Sequence, residues 1–214
     1  MAEHQHPAPQ DPSTPEPAEF WEEFYGGDHP WTGKVNALLA SELAERPLTP
    51  GTALDLGCGT GGDATWLAAQ GWQTTGTDIA EAALVRARAA TAEVGVDVTW
   101  LRADLETEFP AGSWDLVTAS YLHSPTVLGR EHVLRLAAGA LAPGGTMILL
   151  SHQRGPSWKP GGHPGHLPTL AEVVASVDLP GLELVHAEAY ELPSVSPEGV
   201  EGTKVDTVVR VRRA

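Results

Sequence analysis

The run "LDLGCGTGG", residues 54–62, follows a short apolar stretch and precedes a helix-forming one. It constrains the fold of this chain more than any other feature. Four of its nine residues are glycine. Gly57, Gly59 and Gly62 stand at the spacing of a dinucleotide-binding fingerprint, where glycines let the backbone turn sharply and approach a ligand that a β-carbon would hit. A strand, a glycine turn and a helix in that order form half of a crossover unit, and such units build parallel sheets.

The same alternation continues along the chain. Residues 52–56, "WQTTGTD" ending at Asp78, "VDVTWLRAD" ending at Asp104, "SWDLVTASYLH" ending near His123 and "TMILLSH" predict strands. Between them "DATWLAAQ", closed by Gly71, and "IAEAALVRARAATAEV" predict helices, the second burying Ala80, Ala83, Leu84, Ala87 and Val94. A helix over 126–142 turns Val133, Ala137, Ala140 and Leu141 inward, and another is expected over 169–177. The end of the chain differs. "LELVHAEAYEL" and "KVDTVVRVRR" are joined by "PSVSPEGVEG" with no crossover helix, so they should pair antiparallel. In the last strand Val205, Val209 and Val211 share one face, with Asp206, Arg210 and Arg212 opposite. The expected class is α/β: a Rossmann-like open, mainly parallel sheet with helices on both faces and a C-terminal antiparallel hairpin.

Before this region, residues 18–25 predict a helix carrying Phe20, Trp21 and Phe24, stopped by Gly26 and Gly27, and residues 35–45 predict a second. Residues 1–17 hold five prolines and almost no large apolar side chain, so a disordered tail is expected, with 18–214 as one domain. The length of 214 residues suits one full core. A net charge of −15 opposes binding to a phosphate backbone and excludes nucleic acid as the expected partner in favour of a small molecule. The single cysteine, Cys58, rules out an intrachain disulfide and a cysteine-based zinc cage, and no metal site is expected. There is no signal-peptide pattern and no apolar run near the ~18 residues of a membrane helix, so the expected location is the cytoplasm, away from membranes.

Acidic residues decide what the glycine loop holds. Asp55 stands two residues before Gly57, where it would repel a pyrophosphate but accept hydrogen bonds from an ammonium group. Asp78 closes the second strand, where a carboxylate accepts from ribose hydroxyls, and Asp104 closes the third, placed for an exocyclic base amine. An adenosine bearing a positive, amino-acid-like group fits this set better than a diphosphate. The second and third of these acids also have a purely structural reading: Asp78 as a cap on the next helix, Asp104 as part of a turn. Cys58 reads as a small residue in a tight turn rather than a reactive thiol.

"LDLGCGTGG", "TDIAEAAL", "ADLE", "WDLVTASYLH" and "LAPGG", in this order over roughly residues 50–152, resemble the motifs of class I S-adenosylmethionine-dependent methyltransferases. The resemblance implies S-adenosylmethionine as cofactor and S-adenosylhomocysteine as product. It implies that Gly57, Cys58, Gly59 and Gly61 run under the methionine part and that Asp78 binds the ribose. Ile79 would pack on the adenine, Asp104 and the Leu105 backbone would read its edge, and Ser120 would lie near the methionine end. "FWEEFYGGDHPWTGKVNALLA" and "GGDATWLAAQGW" are similar to the small bacterial thiopurine and tellurite-resistance group, which methylates soft heteroatoms. That likeness implies an N-terminal helical cover, residues 18–47, with Trp31 touching the cofactor.

A thiolate, selenide or tellurite-derived acceptor is already nucleophilic near neutral pH, so alignment supplies most of its catalysis. An oxygen or amine acceptor needs a base, and His123, after the fourth strand, is the candidate. Tyr25, His123, His152 and Trp158 are the expected acceptor-side residues, with 153–168 as a flap. His152, His163 and His166 cluster around "HPGH", which reads as loop composition rather than a metal site. Rival functions are an O- or N-methyltransferase of a metabolite or natural product, a nicotinamide-dependent oxidoreductase and a non-catalytic cofactor-binding protein.

Overall fold

The computed structural model describes residues 16–27, 33–126, 128–159 and 166–214. Its helices are α1 (Pro17–Gly26), α2 (Ala37–Glu45), α3 (Gly62–Ala69), α4 (Glu81–Val94), α5 (Arg130–Gly139) and α6 (Leu170–Ser176). Its strands are β1 (Thr52–Leu56), β2 (Gln73–Asp78), β3 (Val98–Arg102), β4 (Trp114–Ser120), β5 (Leu141–Arg154), β6 (Leu182–Val195) and β7 (Glu201–Arg213). They form one sheet in the order β3-β2-β1-β4-β5-β7-β6. The first five strands pair parallel, whereas β7 runs antiparallel to both β5 and β6. Chain order reverses beside β1, whose neighbours are β2 and β4, and the crevice at such a switch point is where open α/β sheets bind ligands.

Alternation along the strands explains the layers. Leu54, Leu56, Val117, Ala119, Met147, Leu149, Val209 and Val211 pack with Val133, Leu134 and Ala137 of α5 and Val173 of α6. Ala53, Leu116, Ile148, Leu150 and Val208 point the other way, onto Leu38, Leu39 and Leu43 of α2 and Leu67 of α3. With both faces covered, the central strands have to be apolar throughout. Helix α1 lies against α4: Tyr25, Trp21 and Phe24 pack with Ala80 and Ala83, and the Glu22 carboxylate accepts from the Ala82 amide at 3.2 Å.

Several boundaries and faces differ from the sequence expectation. Val94 is 56% exposed, because α4 ends there and the chain turns at Gly95 with φ +76°. Leu141 belongs to β5, which begins ahead of "TMILLSH", and α5 starts only at Arg130. The strands placed up to Asp104 and His123 end at Arg102 and Ser120, leaving Asp104 and His123 in loops at the sheet edge. The polar face of β7 is not turned to water. Asp206 and Arg210 are buried because β7 is inserted between β5 and β6, and Arg210 donates to Glu42 of α2 at 3.2 Å. Of the expected disordered tail, residues 1–15 lie outside the described residues, as do Trp31 and His163.

Candidate active site

The glycine loop leaves β1 through Gly57, Gly59 and Gly61, at φ +63°, +52° and +79°, conformations that only glycine adopts without strain. The Cys58 amide donates to the Thr77 carbonyl at 2.9 Å, tying the loop to β2. The Asp78 carboxylate then fixes both sides of the turn: Oδ2 accepts from the Gly59 amide at 2.9 Å, Oδ1 from the Ala80 amide at 3.0 Å. Asp78 thus orders the approach to α4 without capping it, since the N-cap is Ala80 and carries no side-chain cap bond, and each carboxylate oxygen retains capacity for a further donor. A β-carbon on Gly57 would lie 2.7 Å from Leu122 Cδ1, so the bare backbone there lines a narrow cradle.

Two more carboxylates lie beneath the loop. Asp55 accepts from the Thr118 hydroxyl at 2.7 Å, and Asp63 accepts from the Asn36 amide and the Ser120 hydroxyl, each at 2.6 Å. Burial pushes all three carboxyls above the usual range; for Asp55 the neighbouring Asp63 adds to it, and for Asp78 backbone hydrogen bonds partly oppose it. When ionised, these crowded carboxylates attract a cation and repel a pyrophosphate, and a bound cation would lower their raised pKa values again. Folding raises these pKa values, so the native state binds protons more tightly than the unfolded chain. Unfolding free energy of the ligand-free protein should therefore rise as pH falls from 7 towards the unfolded carboxylate value, about 4. Urea denaturation at pH 7 and pH 5 checks this: Asp55→Asn should lessen the gain, and a stability that falls over that range would contradict it.

Above the loop is a cleft with about 710 Å³ not filled by atoms, part of it open to solvent, within the size range of small-molecule sites. Gly57 and Asp78 form its floor. Ile79, Asp104 and Leu105, the residues Tyr121, Leu122 and His123 after β4, and Trp21 and Tyr25 of α1 complete its lining. The Trp21 indole donates to the Ser124 hydroxyl at 3.2 Å, joining α1 to the loop after β4. Asp104 accepts from the Glu106 amide at 3.0 Å, so the turn role considered for it is also present.

Of the residues singled out from sequence, Tyr25, Gly57, Asp78, Ile79, Asp104, Leu105 and His123 converge on this cleft. Gly59 lies under the Tyr25 hydroxyl, 2.8 Å from where its β-carbon would stand. Gly61 packs on Trp100 and Ala87. Asp55 and Ser120 are spent on Thr118 and Asp63. Burial, with Asp78 and Asp55 nearby, pushes the Cys58 thiol up, so it is held as an unreactive thiol. Trp158 donates to Ser194 at 3.0 Å, and its side chain is not among those lining the cleft. Among the described residues no group of three or more His, Cys, Asp or Glu is placed to hold a metal, and His166 faces Glu172 at 3.2 Å. No helix among them is long and apolar enough to cross a membrane.

Sequence reasoning missed Trp21, Asp63, Tyr121 and Asp206 as site residues. Asp206, fully buried on β7, accepts from the Tyr121 hydroxyl at 2.8 Å, from His152 Nδ1 at 2.7 Å and from Lys204 Nζ at 2.7 Å. Burial opposes its charge, but these donors hold the carboxyl below the usual range. The His152 ring stacks on Tyr121 with centroids 4.0 Å apart, and the His152 amide donates to His123 Nε2 at 3.3 Å. Tyr121 has φ +56°, the left-handed region that costs a bulky residue roughly 1–3 kcal/mol and that clusters at functional sites. A signal for Asp206 exists in the sequence, as the acid among the valines of "KVDTVVRVRR".

Residues 53–145 match a family model described as a methyltransferase domain. The 27-O-demethylrifamycin SV methyltransferase of Amycolatopsis mediterranei is 33% identical over 193 residues, covering 85% of this chain and 66% of that one. Ribosomal RNA small subunit methyltransferase C of Alcanivorax borkumensis is 30% identical over 125 residues, 56% of this chain and 38% of that one. The chain thus spans less than two thirds of the length of these curated relatives. Among solved structures, a chain from work on the conversion of a disulfide bond into a thioacetal group during echinomycin biosynthesis superposes with TM-score 0.74, at 23% identity over 92% of both chains. TehB of Haemophilus influenzae superposes with TM-score 0.67, at 15% identity over 90% of this chain and 67% of that one. Residues 53–145 thus form a methyltransferase domain, and with its seven-stranded sheet and its glycine loop tied to Asp78 the chain has the fold of the class I S-adenosylmethionine-dependent methyltransferases.

Proposed function

We propose that this protein transfers the methyl group of S-adenosylmethionine to a small molecule. The observation that carries the reading is the Asp78 carboxylate at the cleft floor, held by the Gly59 and Ala80 amides above buried Asp55 and Asp63. That arrangement suits an adenosine with a positive amino-acid tail and opposes the diphosphate of a nicotinamide cofactor. Gly57–Gly61 would run under the methionine portion, Asp78 would accept from the ribose, and Ile79, Asp104 and Leu105 would hold the adenine. When bound, the cofactor supplies an electrophilic methyl on a sulfonium, with a neutral thioether as leaving group. The Trp21–Ser124 bond keeps α1 across the cleft and limits water there.

Two acceptor classes follow. A soft heteroatom acceptor, sulfur above all, needs alignment but no base, and the likeness to a structure from disulfide-to-thioacetal chemistry supports it. An acceptor hydroxyl is favoured by a specific observation, the hydrogen-bonded His152–Asp206 pair beside the cleft, and by the relative that methylates 27-O-demethylrifamycin SV. A radiolabelled methyl-transfer screen over thiols, tellurite, phenols, amines and ribosomal RNA tests the proposal. Transfer to one of the small molecules is expected; label entering only RNA, or nothing, would overturn it.

A further inference from the structure

We infer that the cleft selects its methyl acceptor by charge: it takes a flat, apolar acceptor that is neutral or cationic and turns anions away, with Glu106 as the residue that sets this selection. The inference rests on the methyltransferase reading above. Asp78, Asp104 and Glu106 line the cleft, and no lysine or arginine stands among its described lining residues. The three carboxylates accept from backbone amides: Gly59 and Ala80 for Asp78, Glu106 for Asp104, and Gly129, at 2.8 Å, for Glu106. An amide dipole steadies a carboxylate but leaves its charge in place, whereas a lysine or arginine would offset it. Two basic side chains at this edge of the sheet are engaged elsewhere. Lys204 Nζ contacts Asp206 at 2.7 Å, and Arg130 donates to the Ser151 hydroxyl at 3.1 Å. A cleft lined by one sign of charge focuses that field, and the net charge of −15 on the whole chain reinforces it.

The rest of the lining favours the same acceptor. Trp21 and Tyr25 stand one helical turn apart on α1, with ring centroids 5.9 Å apart and planes inclined by 30°, so they present one continuous aromatic surface. The Trp21 indole is fixed by its bond to Ser124, and Leu122 and Leu128 add aliphatic contact from the segment after β4. Such rings hold a planar ligand by offset or edge contact and attract a cation at their faces. Of the three acids, Asp78 and Asp104 are the ones proposed to meet the ribose and the adenine, which leaves the Glu106 carboxylate to meet the acceptor. Its bond to the Gly129 amide holds it beside the segment that carries Leu128. A carboxylate or an oxyanion such as tellurite would be brought against that charge, and its size would not help it.

The test uses the full chain saturated with S-adenosylhomocysteine and three probes of one shape: 2-naphthylmethylamine, 2-naphthylmethanol and 2-naphthoate. Titrations are followed by nitrogen-15 NMR on the Trp21 indole N–H, assigned with Trp21→Phe. The amine and the alcohol should each shift that signal and bind about tenfold more tightly than the carboxylate, the effect of one like charge roughly 10 Å away in a partly shielded site. Glu106→Gln keeps an oxygen for the Gly129 amide and removes the charge, so it should tighten the carboxylate about fivefold. The inference is overturned by a carboxylate that binds as well as the amine or the alcohol, by an amine and an alcohol that leave the Trp21 signal unmoved, or by a Glu106→Gln protein that binds the carboxylate no more tightly. Failure of the wild-type chain to bind S-adenosylhomocysteine would instead sink the methyltransferase reading beneath it.

Discussion

Asp78→Ala is expected to weaken S-adenosylhomocysteine binding about 100-fold, close to 3 kcal/mol. Two losses add up to this figure. The carboxylate is the acceptor for the proposed ribose hydroxyls, and hydrogen bonds to a charged partner are each worth about 1.5–3 kcal/mol. It is also what holds the turn, through the Gly59 amide at 2.9 Å and the Ala80 amide at 3.0 Å, so its removal loosens the loop the ligand must find ordered. Asp78→Asn retains one acceptor oxygen but sets an amide group against a backbone N–H, so its Kd should fall between the two. Calorimetry on the three proteins checks the order, and an Asp78→Ala Kd within about threefold of wild type would remove Asp78 from the ligand site.

Gly61→Ala should cost about 3 kcal/mol of folding stability, through two separable causes. At φ +79° an alanine pays the left-handed penalty of about 1–2 kcal/mol. Its β-carbon would also stand 2.5 Å from Trp100 Cη2 and 2.8 Å from the Ala87 β-carbon, an overpacking that costs about 1–3 kcal/mol. Gly95 separates the two. It has nearly the same φ, +76°, but nothing lies within 4 Å of the β-carbon position, so Gly95→Ala should lose only the backbone part. Denaturant unfolding of both variants measures the difference, and equal losses would mean that the Gly61–Trp100 contact yields without cost.

The parallel part of the sheet was legible because its signals are local. Each strand is a short apolar run, each loop is marked by glycine or an acid, and Asp55 and Asp78 fall at strand ends by simple counting, with Asp104 two residues beyond one. The cofactor side of the cleft follows from that register, since Gly57, Asp78, Ile79, Asp104 and Leu105 all leave the same sheet edge. The acceptor side was less legible because long-range pairing makes it. Asp206 and Arg210 alternate with valines as residues of a solvent face would, and only the insertion of β7 beside β5, with α2 laid over it, buries them. The Asp206–His152 contact joins residues 54 positions apart, and no periodicity reports such a meeting. Asp63 was hidden differently. It reads as an ordinary acid in the first turn of a helix, yet it receives the Asn36 amide that begins α2 and the Ser120 hydroxyl that ends β4.

The central claim is that the cleft over the glycine loop takes a positively charged adenosine rather than a dinucleotide. Titration calorimetry of the wild-type chain with S-adenosylmethionine, S-adenosylhomocysteine and NAD tests it without knowledge of the acceptor. The account predicts submillimolar binding of both sulfur nucleosides and none of NAD, while NAD binding with neither of the others would contradict it.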